Sequence, residues 1–172
     1  MNKETSMVLY SSKKHDWETP SWVVDLCEIR LNADFDLDAA ASEKNTVAPM
    51  FLTKEQDGLS VDWVESIVSS REKPSCKEPM IWCNPPYGRD IGKWVEKCYH
   101  EAQKGAVVCC LIPARTDTKY WHNWCFLASE WWFIKGRVRF KNTEETTKSA
   151  APFPSVVVVF SGSTYRMSPK VR

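Results

Sequence analysis

Apolar residues in this chain follow two rhythms, a helical one and an unbroken one, and they alternate along it. Thr19-Pro20 reads as a helix start, with Thr as N-cap and Pro at the first helical position. Trp22, Val23, Leu26, Cys27 and Ile29 then recur at roughly helical spacing. Ala33–Asp38 predicts a strand that runs into a loop of small residues, Ala39-Ala40-Ala41-Ser42, and Met50–Thr53 predicts a second strand. Residues 66–79, rich in Ser, Lys, Glu and Pro, read as a surface connection. Met80-Ile81-Trp82-Cys83 is a short apolar run leading directly into Asn84-Pro85-Pro86-Tyr87.

The second half carries the clearest elements. Between Asp90 and Lys104, the residues Ile91, Trp94, Val95, Cys98, Tyr99 and Ala102 form one apolar helical stripe, and Gly105 ends it. Lys93 and Lys97 then fall on the wet side. Ala106–Ile112 is continuously apolar, as central parallel strands are. A helix is expected over Thr118–Ala128, and strands at Trp131–Ile134, Arg137–Phe140 and Ser155–Phe160, with Trp131-Trp132-Phe133 packing the core. Strand–helix alternation followed by a β-rich end predicts one α/β domain, its sheet mostly parallel with antiparallel C-terminal strands.

Composition narrows the class. With 172 residues, 43% hydrophobic and 26% charged, the chain suits a single globular core rather than disorder. No run approaches the roughly 20 apolar residues of a membrane span, and the first twenty residues lack an apolar segment of signal-peptide length. A soluble intracellular protein is therefore expected. Seven cysteines without a CxxC pair, and three scattered histidines, give neither a disulfide framework nor the ligand spacing of a zinc site. Cys83, Cys109 and Cys110 lie in apolar segments and behave as small hydrophobes. The net charge of +1 hides a division, because residues 1–86 carry 9 Lys and Arg against 15 Asp and Glu, and residues 87–172 carry 14 against 7. An acidic half suits a cationic small molecule and a basic half a phosphate backbone; two ordinary solvated faces are the rival reading.

Asn84-Pro85-Pro86-Tyr87 is the strongest chemical signal. Following a buried strand, it falls at the carboxyl edge of the sheet, where α/β proteins bind ligands. An exocyclic amine conjugated to a purine is a poor nucleophile because its lone pair is delocalised. The Asn84 side-chain oxygen and the next carbonyl can both accept from that amine and favour a tetrahedral nitrogen. The prolines fix φ and hold the acceptors ready, and Tyr87 offers a face for stacking an extruded base. A rigid turn without chemistry is the alternative, since Asn and Pro both favour turns.

This tetrapeptide looks like the catalytic motif of amino-methyltransferases, and the chain resembles the phage-type DNA N6-adenine methyltransferases (Dam-like) further. The resemblance rests on Trp17-Glu18-Thr19-Pro20, Asp36-Leu37-Asp38-Ala39-Ala40, Asn45, Asp57-Gly58-Leu59 with Trp63, Leu111–Arg115 with Thr116 and Thr118, and Gly136–Phe140. It implies a Rossmann-like, S-adenosylmethionine-dependent methyltransferase domain over residues 17–162, with an extension at 1–16 and a tail at 163–172. It also implies direct transfer of the methyl group to N6 of adenine in double-stranded DNA. Asn84, Pro85, Pro86 and Tyr87 would be catalytic. Trp17, Thr19 and Pro20 would hold the methionine carboxylate, while Asp38, Ala39, Ala40, Asn45 and Asp57 would face the rest of the cofactor. No metal and no membrane partner are implied. A phage or prophage origin, the host cytoplasm and protection from restriction follow from the same likeness. No glycine lies between Asp34 and Asp57, which departs from many nucleotide-binding loops and argues against a dinucleotide fingerprint.

In the basic half, Arg115, Thr116, Lys119, Arg137 and Arg139 are the candidates for DNA contact, with Arg137 and Arg139 on one strand face. Trp121 and Trp124 lie nearby in sequence. The competing readings are methylation of an RNA adenine or a protein glutamine, an N4-cytosine target, and a nucleic-acid-binding module of the same fold without catalysis.

Overall fold

The computed structural model describes residues 17–71, 77–142 and 145–162. At its centre lie two strands whose residues are buried on both faces, β4 (Met80–Cys83) and β5 (Val107–Pro113). Side chains alternate across a strand, so each run feeds two cores. Ile81, Cys83, Val108, Cys110 and Ile112 face one layer, and Met80, Trp82, Val107, Cys109 and Leu111 the other. The first layer is closed by α2 (Trp63–Ser70), α3 (Ile91–Gln103) and α4 (Lys119–Asn123), the second by α1 (Ser21–Leu31). The continuous apolar runs thus arise because helices cover both faces.

The large sheet has the order β3-β2-β4-β5-β9-β6, with β2 at Leu37–Asp38, β3 at Met50–Phe51, β6 at Glu130–Phe133 and β9 at Ser155–Ser161. Its β3, β2, β4 and β5 are parallel, and β9 enters antiparallel between β5 and β6. The expected α/β domain with late antiparallel strands is therefore the observed one. A second sheet, β1-β7-β8, is antiparallel throughout and joins Trp17–Glu18, Arg139–Asn142 and Glu145–Ala150. Among the described residues, no helix is long and apolar enough to cross a membrane.

Several elements differ from the sequence expectation, each for a visible reason. The strand expected over Ala33–Asp38 pairs as a ladder only at Leu37–Asp38, because the Asp36 carboxylate takes the Met80 N–H at 2.8 Å. The supposed connection at 66–79 begins inside α2, a helix carried by Trp63 and Ile67 one turn apart and capped by Asp62, which accepts from Glu65 N–H; residues 72–76 lie outside the described residues. The helix expected over Thr118–Ala128 divides into α4 and a 3-10 turn at Cys125–Leu127. Arg137 precedes β7 rather than belonging to it, although Arg137 and Arg139 are both exposed on either side of buried Val138. Trp132 alone of the Trp131-Trp132-Phe133 run is buried, since β6 is an edge strand whose other face is uncovered.

Lys97 is likewise not on a wet face. It pairs at 2.8 Å with Glu101, a fully buried carboxylate that Lys104 reaches at 2.9 Å. Glu101 also accepts the Val64 N–H at 3.1 Å, supplying α2 with a second cap from another helix. Removing one member of a buried ion pair strands the other charges. Glu101→Ala is expected to destabilise the fold by about 3 kcal/mol, read as a drop in the urea midpoint, with Glu101→Gln recovering part of that loss by keeping the Val64 contact.

Candidate active site

The parallel register sets the position of the site. Cys83 stands opposite Cys110 and Asp38 opposite Trp82, so the loops after β2 and β4 leave the sheet side by side. Ala39 N–H donates to the Trp82 carbonyl at 2.9 Å, and Ala41 N–H to that of Leu52. Together these loops form an open cleft with a cavity volume of about 180 Å³.

One wall of the cleft is Ala39, Ala40, Ala41, Ser42 and Asn45, and another is Asn84, Pro85 and Pro86. Asp57 and Gly58 line a third side, together with Leu52, Thr53 and Lys54. Glu18 and Trp94 complete it. Gly58 is required by closeness: a Cβ there would run into the Ala39 carbonyl oxygen and stand 2.9 Å from the Trp94 ring. The Trp63 indole N–H fixes this turn by donating to the Gly58 carbonyl at 2.7 Å. Asp57 adopts φ 50, and its carboxylate accepts the Leu59 N–H. Left-handed backbone of this kind suits Asp, whose side chain bonds locally.

The structure separates the expected site residues into those that line the cleft and those that support it. Ala39, Ala40, Asn45, Asp57, Asn84, Pro85 and Pro86 line it. Asp38 was expected to face the cofactor, but its carboxylate turns inward and accepts the Ala40 and Val47 N–H groups, tying the loop from beneath. Thr19 was expected to cap α1 and to hold the methionine carboxylate. Helix α1 instead begins after Pro20, without a side-chain cap, and the Thr19 hydroxyl accepts from Asn84 Nδ2 at 3.0 Å. Pro20 is buried at the helix start, and the Trp17 backbone pairs with Asn142 in the small sheet. Glu18, Ser42, Lys54, Gly58 and Trp94 were not singled out as site residues. Glu18 and Gly58 stood inside recognised motifs, whereas Lys54 had no signal and Trp94 read as part of a helical core stripe.

Tyr87 is placed differently from a free stacking platform. Its hydroxyl donates to Asn84 Oδ1 at 2.7 Å and lies 3.3 Å from the Leu111 carbonyl. Burial pushes that phenol well above its ordinary range, so it remains a donor. The ring packs edge-on against Phe140 at 6.1 Å and Phe153 at 5.5 Å. The Arg115 guanidinium in turn covers the Phe153 ring at 5.7 Å. Basic side chains are thereby linked through aromatics to the Asn84–Tyr87 loop. Arg115, Thr116, Lys119, Arg137 and Arg139 are all exposed; the first three follow β5 at the carboxyl edge, and Arg139 neighbours Phe140 on the small sheet. Behind Asn84, the sulfurs of Cys83, Cys98 and Cys110 lie within 4.8 Å of one another. Burial pushes the Cys83 and Cys98 thiols well up, which keeps them protonated and apolar in character.

A mostly parallel α/β sheet with antiparallel C-terminal strands, and a cleft at its carboxyl edge bordered by the Asn-Pro-Pro-Tyr loop, is a methyltransferase-like architecture. The chain belongs to the DNA N-6-adenine-methyltransferase (Dam) family, whose profile matches residues 6–169. It is similar to the DNA N-6-adenine-methyltransferase of Haemophilus phage HP1, at 30% identity over 154 residues covering 85% of this chain and 81% of that protein. It is also similar to the protein of that name from Escherichia phage T1, at 33% identity over 60% of this chain and 38% of the phage protein.

The buried Asp38 gives a pH signature. Burial raises its carboxyl to about 6, against the lowering effect of the Ala40 and Val47 bonds. A carboxyl raised on folding contributes stability that is full below its unfolded value of 3.8 and is lost as pH rises through 6. Asp38→Asn should therefore be less damaging at pH 7.5 than at pH 4.5, by about 2 kcal/mol in urea unfolding free energy.

Proposed function

We propose that this enzyme transfers a methyl group from S-adenosylmethionine to N6 of adenine in double-stranded DNA. The observation that carries the reading is the position of Asn84, which lines the cleft on a loop stiffened by Pro85 and Pro86. The cleft suits a cationic nucleoside. Glu18 and Asp57 supply negative charge, Lys54 can meet a carboxylate, and Leu52, Pro85 and Trp94 offer apolar surface to a purine. Ala39, Ala40 and Asn45 would hold the cofactor on the opposite wall, with Asp38 setting their loop. When bound, S-adenosylmethionine supplies an electrophilic methyl group on a sulfonium.

The chain's own residues act on the amine. Asn84 Oδ1 and the Pro85 carbonyl accept its two N–H bonds, drawing the nitrogen out of conjugation and directing its lone pair at the methyl group. Preorganised acceptors need no reordering at the moment of reaction, which is where such sites gain most. Tyr87 holds Asn84 Oδ1 through its hydroxyl, and its ring is seated edge-on against Phe140 and Phe153. The exposed Arg115, Lys119, Arg137 and Arg139, with Thr116, hold the phosphate backbone around the extruded base. Thr19 braces Asn84, carried between Trp17–Glu18 of the small sheet and Pro20 at the start of α1. The methyltransferase domain is assigned to residues 17–162. The phage relatives support a phage or prophage origin; action in the host cytoplasm and protection of DNA against restriction complete the proposal.

Asn84→Ala tests the reading directly. Methyl transfer to DNA should fall by about 100-fold or more, as when one preorganised polar group is removed from a site of this kind, with the cofactor dissociation constant little changed in calorimetry. Retained transfer in this variant would overturn the assignment.

A further inference from the structure

The Thr19 hydroxyl stands 3.0 Å from Asn84 Nδ2, across a sequence separation of 65 residues, and it does so by leaving the helix cap that its position suggested. A cap is worth about 1 kcal/mol to a helix, and α1 begins without one. The amide of Asn84 is consequently held at both ends, with Nδ2 on Thr19 and Oδ1 on Tyr87. We propose that Thr19 is a positioning residue for catalysis: it fixes the plane of the Asn84 amide, so that oxygen rather than nitrogen meets the target amine. This inference rests on the catalytic assignment of Asn84 and deepens it.

The chemistry makes orientation decisive. The two ends of a carboxamide are nearly equal in shape but opposite in hydrogen-bonding sense. An NH2 turned toward the substrate would meet another donor and leave the amine conjugated. Losing the Thr19 hydroxyl takes an acceptor from Nδ2 at this half-buried position, which favours rotation of the amide. The Tyr87 hydroxyl cannot prevent this alone, because it has the Leu111 carbonyl within 3.3 Å as a second acceptor.

Thr19 is also well braced for such a task. On its N-terminal side, Glu18 pairs with Lys141 in the small sheet. On its C-terminal side, Pro20 at φ −62 begins α1 and restricts the preceding residue to extended backbone. A hydroxyl carried between a strand and a helix is held more exactly than one on a free loop. Thr19 is absent from the residues lining the cleft, so its part is to orient Asn84 rather than to bind the cofactor.

The test compares Thr19→Val, which keeps the shape and removes the hydroxyl, with Thr19→Ser, which keeps the hydroxyl. Steady-state methylation of duplex DNA and calorimetric binding of S-adenosylmethionine are measured on both, on Thr19→Ala and on Asn84→Ala. Thr19→Val should lower kcat by about 10-fold, the effect of one lost hydrogen bond on the transition state, with KM and the dissociation constant for the cofactor within about threefold of wild type. Thr19→Ser should restore most of kcat. If Thr19→Val does not fold, the Thr19→Ala and Thr19→Ser pair decides on the same criteria. The proposal is overturned if kcat is unchanged without the hydroxyl, if Ser is as impaired as the variant without it, or if cofactor affinity falls in step with kcat. An active Asn84→Ala would instead remove the catalytic assignment itself, whereas an inactive Asn84→Ala beside an active Thr19→Val would remove only the positioning role.

Discussion

Everything at the site depends on the register in which β4 lies between β2 and β5. Three parallel strands ending together bring the Ala39–Asn45 loop, the Asn84–Tyr87 loop and the chain after Pro113 to one edge. That register is enforced by burial on both faces. A slip of one residue would turn Trp82 and Ile81 into each other's layers, and the two layers are packed differently, one around Trp63 and Trp94 and the other around α1 and Phe35. Close packing of such large side chains leaves little tolerance for an alternative.

From this edge, rigidity is passed outward through short contacts rather than through long loops. Gly58 lets the Asp57 turn rest on Ala39, and Trp63 anchors it by a buried indole bond. Asp38 closes the neighbouring loop from below. On the other side, the Asn84–Tyr87 loop is reached twice, by Thr19 just after β1 and by Phe140 of β7. The sheet of β1 and β7 carries exposed Arg139, so a candidate DNA contact and the Asn84–Tyr87 loop share one support.

Legibility in the sequence followed the range of the forces involved. The strands β4 and β5, helix α3 and the Asn84–Tyr87 loop were plain, because each is declared by its own periodicity or composition. The shortening of β2 was hidden, since the Asp36 carboxylate replaces a backbone acceptor and side-chain substitution leaves no pattern. Helix α2 has only two buried apolar positions, and one of its caps comes from Glu101 on a different helix. Thr19 obeyed a strong local rule on paper and a distant partner in the fold. Lys54 and Trp94 enter the cleft through tertiary packing alone, whereas Glu18 and Gly58 could have been found by taking every member of a recognised motif as a site residue.

The central claim is that Asn84 and its loop prepare the N6 amine of adenine in DNA for methylation. The most direct measurement is mass spectrometry of nucleosides from duplex DNA incubated with the protein and S-adenosylmethionine carrying a deuterated methyl group. The account predicts labelled N6-methyl-deoxyadenosine. Label confined to deoxycytidine, or DNA without label beside a labelled RNA or protein substrate, would contradict it.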